Sequence, residues 1–150
     1  MHRVEIKRVI NAPIEKVFAE ISNHEGYVRF AGVDKAELIR EGDKERNGMG
    51  AVRHLQLGKL AIDEEIVGFD VPENDTAKME YRITRMKPKL FHHILGRVLL
   101  TEADGKTTVV WSSEFEVPVP VAGPMIEKLL AKPFGQGFAG MLKAVDKLVS

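Results

Sequence analysis

The sequence contains no cysteine, which excludes disulfides, thiolate metal sites and a cysteine nucleophile. It also has no surplus of either charge, because 22 Lys and Arg balance 22 Asp and Glu. A net charge of zero supplies no basic field for nucleic acid and no polybasic patch for anionic lipid. Long apolar runs are missing as well. The longest uncharged stretch, Val117 to Ile126, carries Pro118, Pro120 and Pro124 and falls far short of the ~20 residues a spanning helix needs. Met1 to Lys7 alternates polar and apolar residues instead of giving a charged start and an apolar run, so it reads as a strand and not as a secretory leader. A cytoplasmic protein without a transmembrane segment or nucleic-acid partner is expected. Neither HxxxH nor HExxH occurs, nor a nucleophile elbow or phosphate loop, so no metal and no cofactor is expected.

What is present is enough apolar residue for a core: 44% of 150 residues. A chain of this length buries roughly 70% of the surface its unfolded form exposes, which suits one domain over residues 1–150. No internal repeat, low-complexity tract or linker divides it.

The periodicities order the elements. Val4 to Ile10 alternates with period two, the mark of a half-buried strand. Pro13 suits a first helical turn, and Ile14, Val17, Phe18 and Ile21 follow at helical spacing up to about Ser22. Asn23-His24-Glu25-Gly26 breaks that helix, and Tyr27 to Phe30 adds a further helical turn. A strand covers about 33–41. Gly42, Gly48 and Gly50 among charged residues read as a mobile loop. Strands follow over 51–57 and 60–69 around a Gly58-Lys59 turn, over 77–85, and over 94–103 and 106–117 around Asp104-Gly105. Val71 to Asp75 reads as a turn cluster. From Pro124 to Val149, apolar residues recur every three or four positions, a long helix that Pro133 is expected to interrupt.

This order gives an α+β architecture, an antiparallel sheet with its helices on one face. The two hairpin turns also set facings. Around Gly58-Lys59, Leu57 opposes Leu60, Leu55 opposes Ile62, and Arg53 opposes Glu64 on the same inner face. Around Asp104-Gly105, Ile94, Gly96, Val98, Leu100, Val109, Trp111, Ser113 and Phe115 face inward, with Gly96 opposite Ser113 and leaving room beside Trp111. Continued alternation turns His92 inward and His93 outward, and places Met79, Tyr81 and Ile83 on the inner face. Adjacent His92 and His93 cannot share a metal from a regular strand. Arg53, Glu64, Tyr81, His92, Trp111 and Ser113 thus gather on one wall among aliphatic residues. Charged groups there are costly unless paired, and a cavity is one explanation.

Four segments carry a resemblance: Ile10-Asn11-Ala12-Pro13 with Val17-Phe18; Gly48-Met49-Gly50-Ala51-Val52-Arg53; Glu64-Glu65-Ile66 with Phe69-Asp70 and Pro72; and Thr107-Thr108-Val109-Val110-Trp111. In these the chain resembles the SRPBCC superfamily, the START/Bet v 1-like helix-grip domains, in its bacterial polyketide cyclase/dehydrase and lipid-transport branch. The resemblance implies a curved seven-stranded antiparallel sheet wrapped around the long C-terminal helix, with one or two short helices after the first strand. It further implies a hydrophobic pocket between sheet and helix, roofed by Phe134, Phe138 and Met141.

Two readings attach to each polar wall residue. Arg53 and Glu64 form either a buried ion pair or an anchor for a ligand carbonyl, phenolate or carboxylate. Tyr81 and Ser113 need partners if buried and suit polar ligand contacts, whereas Trp111 and the helix aromatics fill a core by default. The leading expectation is binding of a small hydrophobic molecule, a lipid, isoprenoid or aromatic polyketide-like compound. An alternative is a cyclase or dehydratase that moves protons with His92 or Glu64. A third is an interaction module, with the apolar segment Val117 to Pro124 docking on a protein or membrane-bound partner; otherwise that segment is expected to pack against the 42–50 loop at a pocket mouth.

Overall fold

The computed structural model describes residues 1–150. The elements are β1 (His2–Ile10), α1 (Ile14–Ile21), a 3-10 turn (Glu25–Arg29), β2 (Lys35–Arg40), β3 (Val52–Leu57), β4 (Leu60–Glu73), β5 (Thr76–Lys87), β6 (His92–Ala103), β7 (Lys106–Glu116) and α2 (Gly123–Val149). The strands make one seven-stranded sheet in the order β1-β7-β6-β5-β4-β3-β2, with every pair antiparallel. This is the expected α+β helix-grip arrangement. The apolar stripe of α1, Ile14, Val17, Phe18 and Ile21, is buried. Glu102 from β6 accepts the Ile14 N–H at 2.6 Å, placing a carboxylate at the positive end of that helix.

Turn chemistry fixes the hairpins. Gly58 has φ +63°, and Leu57 pairs with Leu60, Leu55 with Ile62 and Arg53 with Glu64. Asp104 and Gly105 have φ +54° and +76°, the primed turn whose twist matches the flanking strands. The Val71–Asp75 cluster is smaller than expected. β4 runs on to Glu73, and the turn itself is Asn74-Asp75 at φ +51° and +62°. Register shifts between Asp63 and Glu64, between Ile66 and Gly68 and between Asp70 and Glu73 interrupt the β4–β5 ladder. Each inserts extra twist and bends the strand pair over the helix.

Three expectations are corrected. The 42–50 loop is folded on itself: Gly42 N–H reaches Arg46 O, Asp43 N–H reaches Met49 O, and Gly50 N–H docks on Ile66 O of β4, each at 2.9 Å. Pro133 lies inside α2 without ending it. Pro133 and Leu129, the residue four before it whose carbonyl loses its partner, are both exposed, so water can take the orphaned carbonyl. Finally, Val117 to Pro124 does not pack against the 42–50 loop. Antiparallel alternation puts the β3–β4 turn, the β5–β6 connection and residues 117–122 at one end of the sheet. The 42–50 loop and the turns at 74–75 and 104–105 lie at the other.

Candidate functional site

Between the concave face of the sheet and α2 lies a cavity. It measures about 110 Å³ in the space open to the centre of a water molecule, and about 620 Å³ in all the atom-free space out to its mouth. Thirteen of its 17 lining residues are hydrophobic. Leu57, Leu60, Met86, Phe134, Phe138 and Met141 are only partly buried and form the outer part. Arg53, Glu64, Tyr27, Tyr81 and Trp111 are buried and close its inner end.

Aromatic contacts shape the helix-side wall. Trp111 of β7 stacks on Phe138 of α2, with centroids 5.0 Å apart and 9° between planes. Phe134 meets Phe91 and Phe115 edge-on at 5.0 and 5.3 Å. Across the sheet Gly96 pairs with Ser113 and with Tyr81. A Cβ on Gly96 would stand 2.2 Å from the Tyr81 ring, so the missing side chain admits Tyr81, and not Trp111 as the hairpin register suggested. The Tyr81 hydroxyl accepts the Trp111 indole N–H at 2.9 Å. Its own proton remains available to a cavity occupant.

Arg53 is the centre of the inner end. Its side chain is 1% exposed, and its Nε donates to Glu64 Oε1 at 2.8 Å. The guanidinium carbon sits 4.4 Å from the Tyr27 ring centroid and 5.2 Å from that of Tyr81, close enough for cation–π attraction to both. Burial opposes its charge most strongly, but the Glu64 carboxylate together with Tyr27 and Tyr81 outweighs that, and the Arg53 pKa is raised. Burial likewise pushes the Tyr27 and Tyr81 phenols up, keeping both as neutral donors. Tyr27 spends its proton on Ile21 O at 2.7 Å.

A residue absent from the sequence expectation completes this network. His24, between α1 and the 3-10 turn, is fully buried, with Nδ1 3.2 Å from Arg53 Nη1 and Nε2 2.8 Å from Asn47 O. Arginine can only donate and a carbonyl can only accept, so Nδ1 is the bare nitrogen and Nε2 carries the proton. Burial and the Arg53 charge lower the His24 pKa to about 3. Nothing local in Asn23-His24-Glu25-Gly26 marks this role, since its partners lie 23 and 29 residues away.

The sequence expectation for the histidine pair is reversed. His93 is 7% exposed and lines the cavity, whereas His92 is exposed and outside it. Between His93 and Leu95 the β6–β7 register shifts: His93 opposes Phe115 and Leu95 opposes Glu114. The extra residue, Ile94, breaks the alternation that had turned His92 inward. His93 Nδ1 accepts the Ile83 N–H at 3.1 Å, leaving Nε2–H to donate to Ser113 Oγ at 3.1 Å. Burial, with His92 and Arg82 nearby, lowers its pKa to about 4. The ring stacks on Tyr81 at 5.7 Å.

The remaining expected residues, Arg53, Glu64, Tyr81, Trp111, Ser113, Phe134, Phe138 and Met141, all line this one cavity. Tyr27 and the apolar strand residues Leu55, Ile62, Ile83 and Met86 join them. The free hydrogen-bonding capacity is concentrated at the inner end, in the Tyr81 O–H, the second Glu64 oxygen and the remaining Arg53 N–H groups. The cavity therefore has one polar end and apolar walls, the usual constitution of a small-molecule site.

Comparison with known proteins agrees with this geometry. No curated protein matches the chain by sequence. Among solved structures it is similar to an aromatase/cyclase, Zhui, from a Streptomyces species, with 17% identity, TM-score 0.74, and 97% of this chain and 92% of that one covered. A protein from Thermus thermophilus gives 19% identity, TM-score 0.75, and coverage of 97% and 95%. A START superfamily protein from Mycobacterium smegmatis gives 16% identity, TM-score 0.71, and coverage of 99% and 100%. At these identities the likeness concerns the fold, that of START-like, SRPBCC domains. The model of the family described as polyketide cyclase / dehydrase and lipid transport matches residues 1–149, and the chain belongs to that family.

Proposed function

We propose that the protein binds one small, largely apolar molecule, a lipid, isoprenoid or aromatic polyketide-like compound, with a carbonyl, phenol or carboxylate at one end. The observation that carries this reading is the polarity of the cavity. Its apolar outer part would hold rings or chains by contact area, while Arg53, Tyr81 and Glu64 would take the polar group at the inner end. Arg53 presents a fixed planar donor set, held in place by Glu64, His24 and the two tyrosine rings. An occupant would receive hydrogen bonds without the site rearranging, and preorganisation of this kind saves ordering entropy on binding.

The family description and the aromatase/cyclase with the same fold support a ketide-like ligand, and raise the question of turnover. Any proton transfer would fall to Glu64 or Tyr81. His92 points away from the cavity, and both nitrogens of His93 are engaged.

Native mass spectrometry of freshly purified protein, followed by denaturing extraction, tests the reading. A stoichiometric small-molecule adduct, or one formed on incubation with mixed lipids and aromatic ketides, is the expected result. Trp111 emission should change on occupancy, because its ring forms part of the wall. A persistently unliganded mass together with unchanged emission across that panel would overturn the proposal.

A further inference from the structure

The zero net charge conceals one lysine-rich end of the molecule. At the end of the sheet where the β3–β4 turn and the β5–β6 connection lie, Lys59, Lys87, Lys89, Lys128 and Lys132 are all exposed. None of these five is ion-paired; the lysines that form ion pairs are Lys35 and Lys78. The exposed acids at this end are Asp34, whose carboxylate accepts the Gly58 N–H, and Glu116. At the opposite end Glu45, Asp70, Glu73, Asp75 and Asp104 are exposed, interspersed with the equally exposed Lys44, Arg46 and Lys106.

The same lysine-rich end carries the most exposed apolar side chains of the molecule. Val121 is 100% exposed, Leu129 70% and Met125 63%, with Val119 and Leu90 also exposed. Met125, Lys128, Leu129 and Lys132 fall at i, i+3, i+4 and i+7, one face of α2. The turn before it is held by its own backbone: Val119 N–H to Val117 O, Ala122 N–H to Pro120 O and Gly123 N–H to Val119 O, at 2.7 to 2.8 Å. Beneath it, Glu127 accepts the Val117 N–H at 3.0 Å and lies 3.3 Å from the Met1 amino group. Val121 has φ +69°, a conformation that a β-branched residue adopts only under constraint. The constraint thrusts its side chain outward, where it contacts nothing of this chain.

We infer that this end of the molecule docks on an anionic lipid bilayer. Val119, Val121, Met125 and Leu129 would enter the headgroup boundary, and the five lysines would lie over the lipid phosphates. Exposed apolar side chains rimmed by unpaired lysines match such a surface in both its layers, and the opposite end, with its mixed charges, would face away from it. The cavity's partly exposed wall residues Leu57, Leu60, Met86 and Phe134 belong to the same end. Docking stands on the surface alone and does not require that the cavity be filled.

Flotation of the full chain with phosphatidylcholine vesicles, and with vesicles in which about a third of the lipid is phosphatidylglycerol, tests this directly. The chain should float with the anionic vesicles at low salt, stay in solution with the neutral ones, and be released as salt screens the contact. Lys128→Glu with Lys132→Glu should weaken partition by at least roughly thirtyfold, since each lysine near an anionic surface contributes about fivefold and each glutamate adds repulsion. Val121→Asp with Leu129→Glu should abolish flotation; Asp tolerates the positive φ, so circular dichroism should stay native. Native chain left in solution with anionic vesicles at low salt, or variants that float like the native chain, would overturn the inference and direct the patch to a protein partner. Ligand titration by Trp111 emission without vesicles reads the cavity separately, so either proposal can fail alone.

Discussion

The inner end of the cavity and its aromatic wall are held by opposite kinds of force. At the inner end Arg53 is joined to Glu64 and His24 by directional bonds, and each bond needs both of its partners in place. Along the wall Trp111, Phe138, Phe134 and Phe91 touch through ring faces and edges, which tolerate changes of shape. Under the proposed function, the first region would fix what a ligand's polar group must be, and the second only how large its body is. Damage should therefore be severe in one and graded in the other.

The largest effect should come from Arg53→Ala, which leaves the Glu64 carboxylate buried without its partner. A loss of about 3–5 kcal/mol in urea unfolding is expected. The double variant Arg53→Met with Glu64→Leu sharpens the contrast, because replacing a buried pair with apolar residues is often neutral or stabilising by about 1–4 kcal/mol. It should fold well and lose the ligand. Retained ligand binding in that variant would assign the pair to scaffolding.

Acid should act on the inner half next. The folded pKa values of His24 and His93, about 3 and about 4, lie below the ordinary histidine value. Above pH ~6.5 neither the folded nor the unfolded chain binds the extra proton, and folding carries no penalty. As pH falls below that value, the unfolded chain takes up protons that the folded one refuses. Stability then drops until the folded values are reached, by about 2 kcal/mol for each histidine between pH 7 and 5. His93→Gln should flatten this decline in a pH series of unfolding curves, and His92→Gln, which removes only a lesser cause of the His93 shift than burial, should flatten it far less. Equal effects of the two would break the facing assigned by the register shift.

A methyl group should suffice to disturb the junction of the regions. Gly96→Ala forces a Cβ into the Tyr81 ring, and overpacking of this kind costs about 1–3 kcal/mol. Displacing Tyr81 should also break its bond to Trp111 and shift the indole emission. The smallest effect is expected on the wall. Phe138→Leu keeps an apolar side chain at a partly buried site and should cost about 1 kcal/mol. It should alter which ligands bind, more than whether any binds, in a competition series of ring and chain compounds.

Most of the strand pattern was legible because period-two alternation and turn chemistry are local. Gly58-Lys59 and Asp104-Gly105 set two registers, and from the first of these the Arg53–Glu64 pairing follows by counting residues. The same counting failed at His92, because a register shift is an event between two strands and leaves no mark in the alternation of one. His24 was hidden for a related reason: its partners come from a loop and a strand far along the chain. The end of β4 at 71–73 was hidden by Pro72, which made a strand end look like part of the Asn74-Asp75 turn.

The sequence by itself determined the α+β order, the long apolar face of α2, and the placing of Arg53 opposite Glu64, since each rests on spacing within one element or across one tight turn. Tertiary structure alone decided which histidine reaches the cavity, that His24 locks Arg53, and that Tyr81 fills the space over Gly96. Those outcomes depend on sheet curvature and on contacts between remote segments. It also decided where the balanced charges go: a sum over residues is blind to position, and only the folded chain gathers Lys59, Lys87, Lys89, Lys128 and Lys132, all unpaired, at one end.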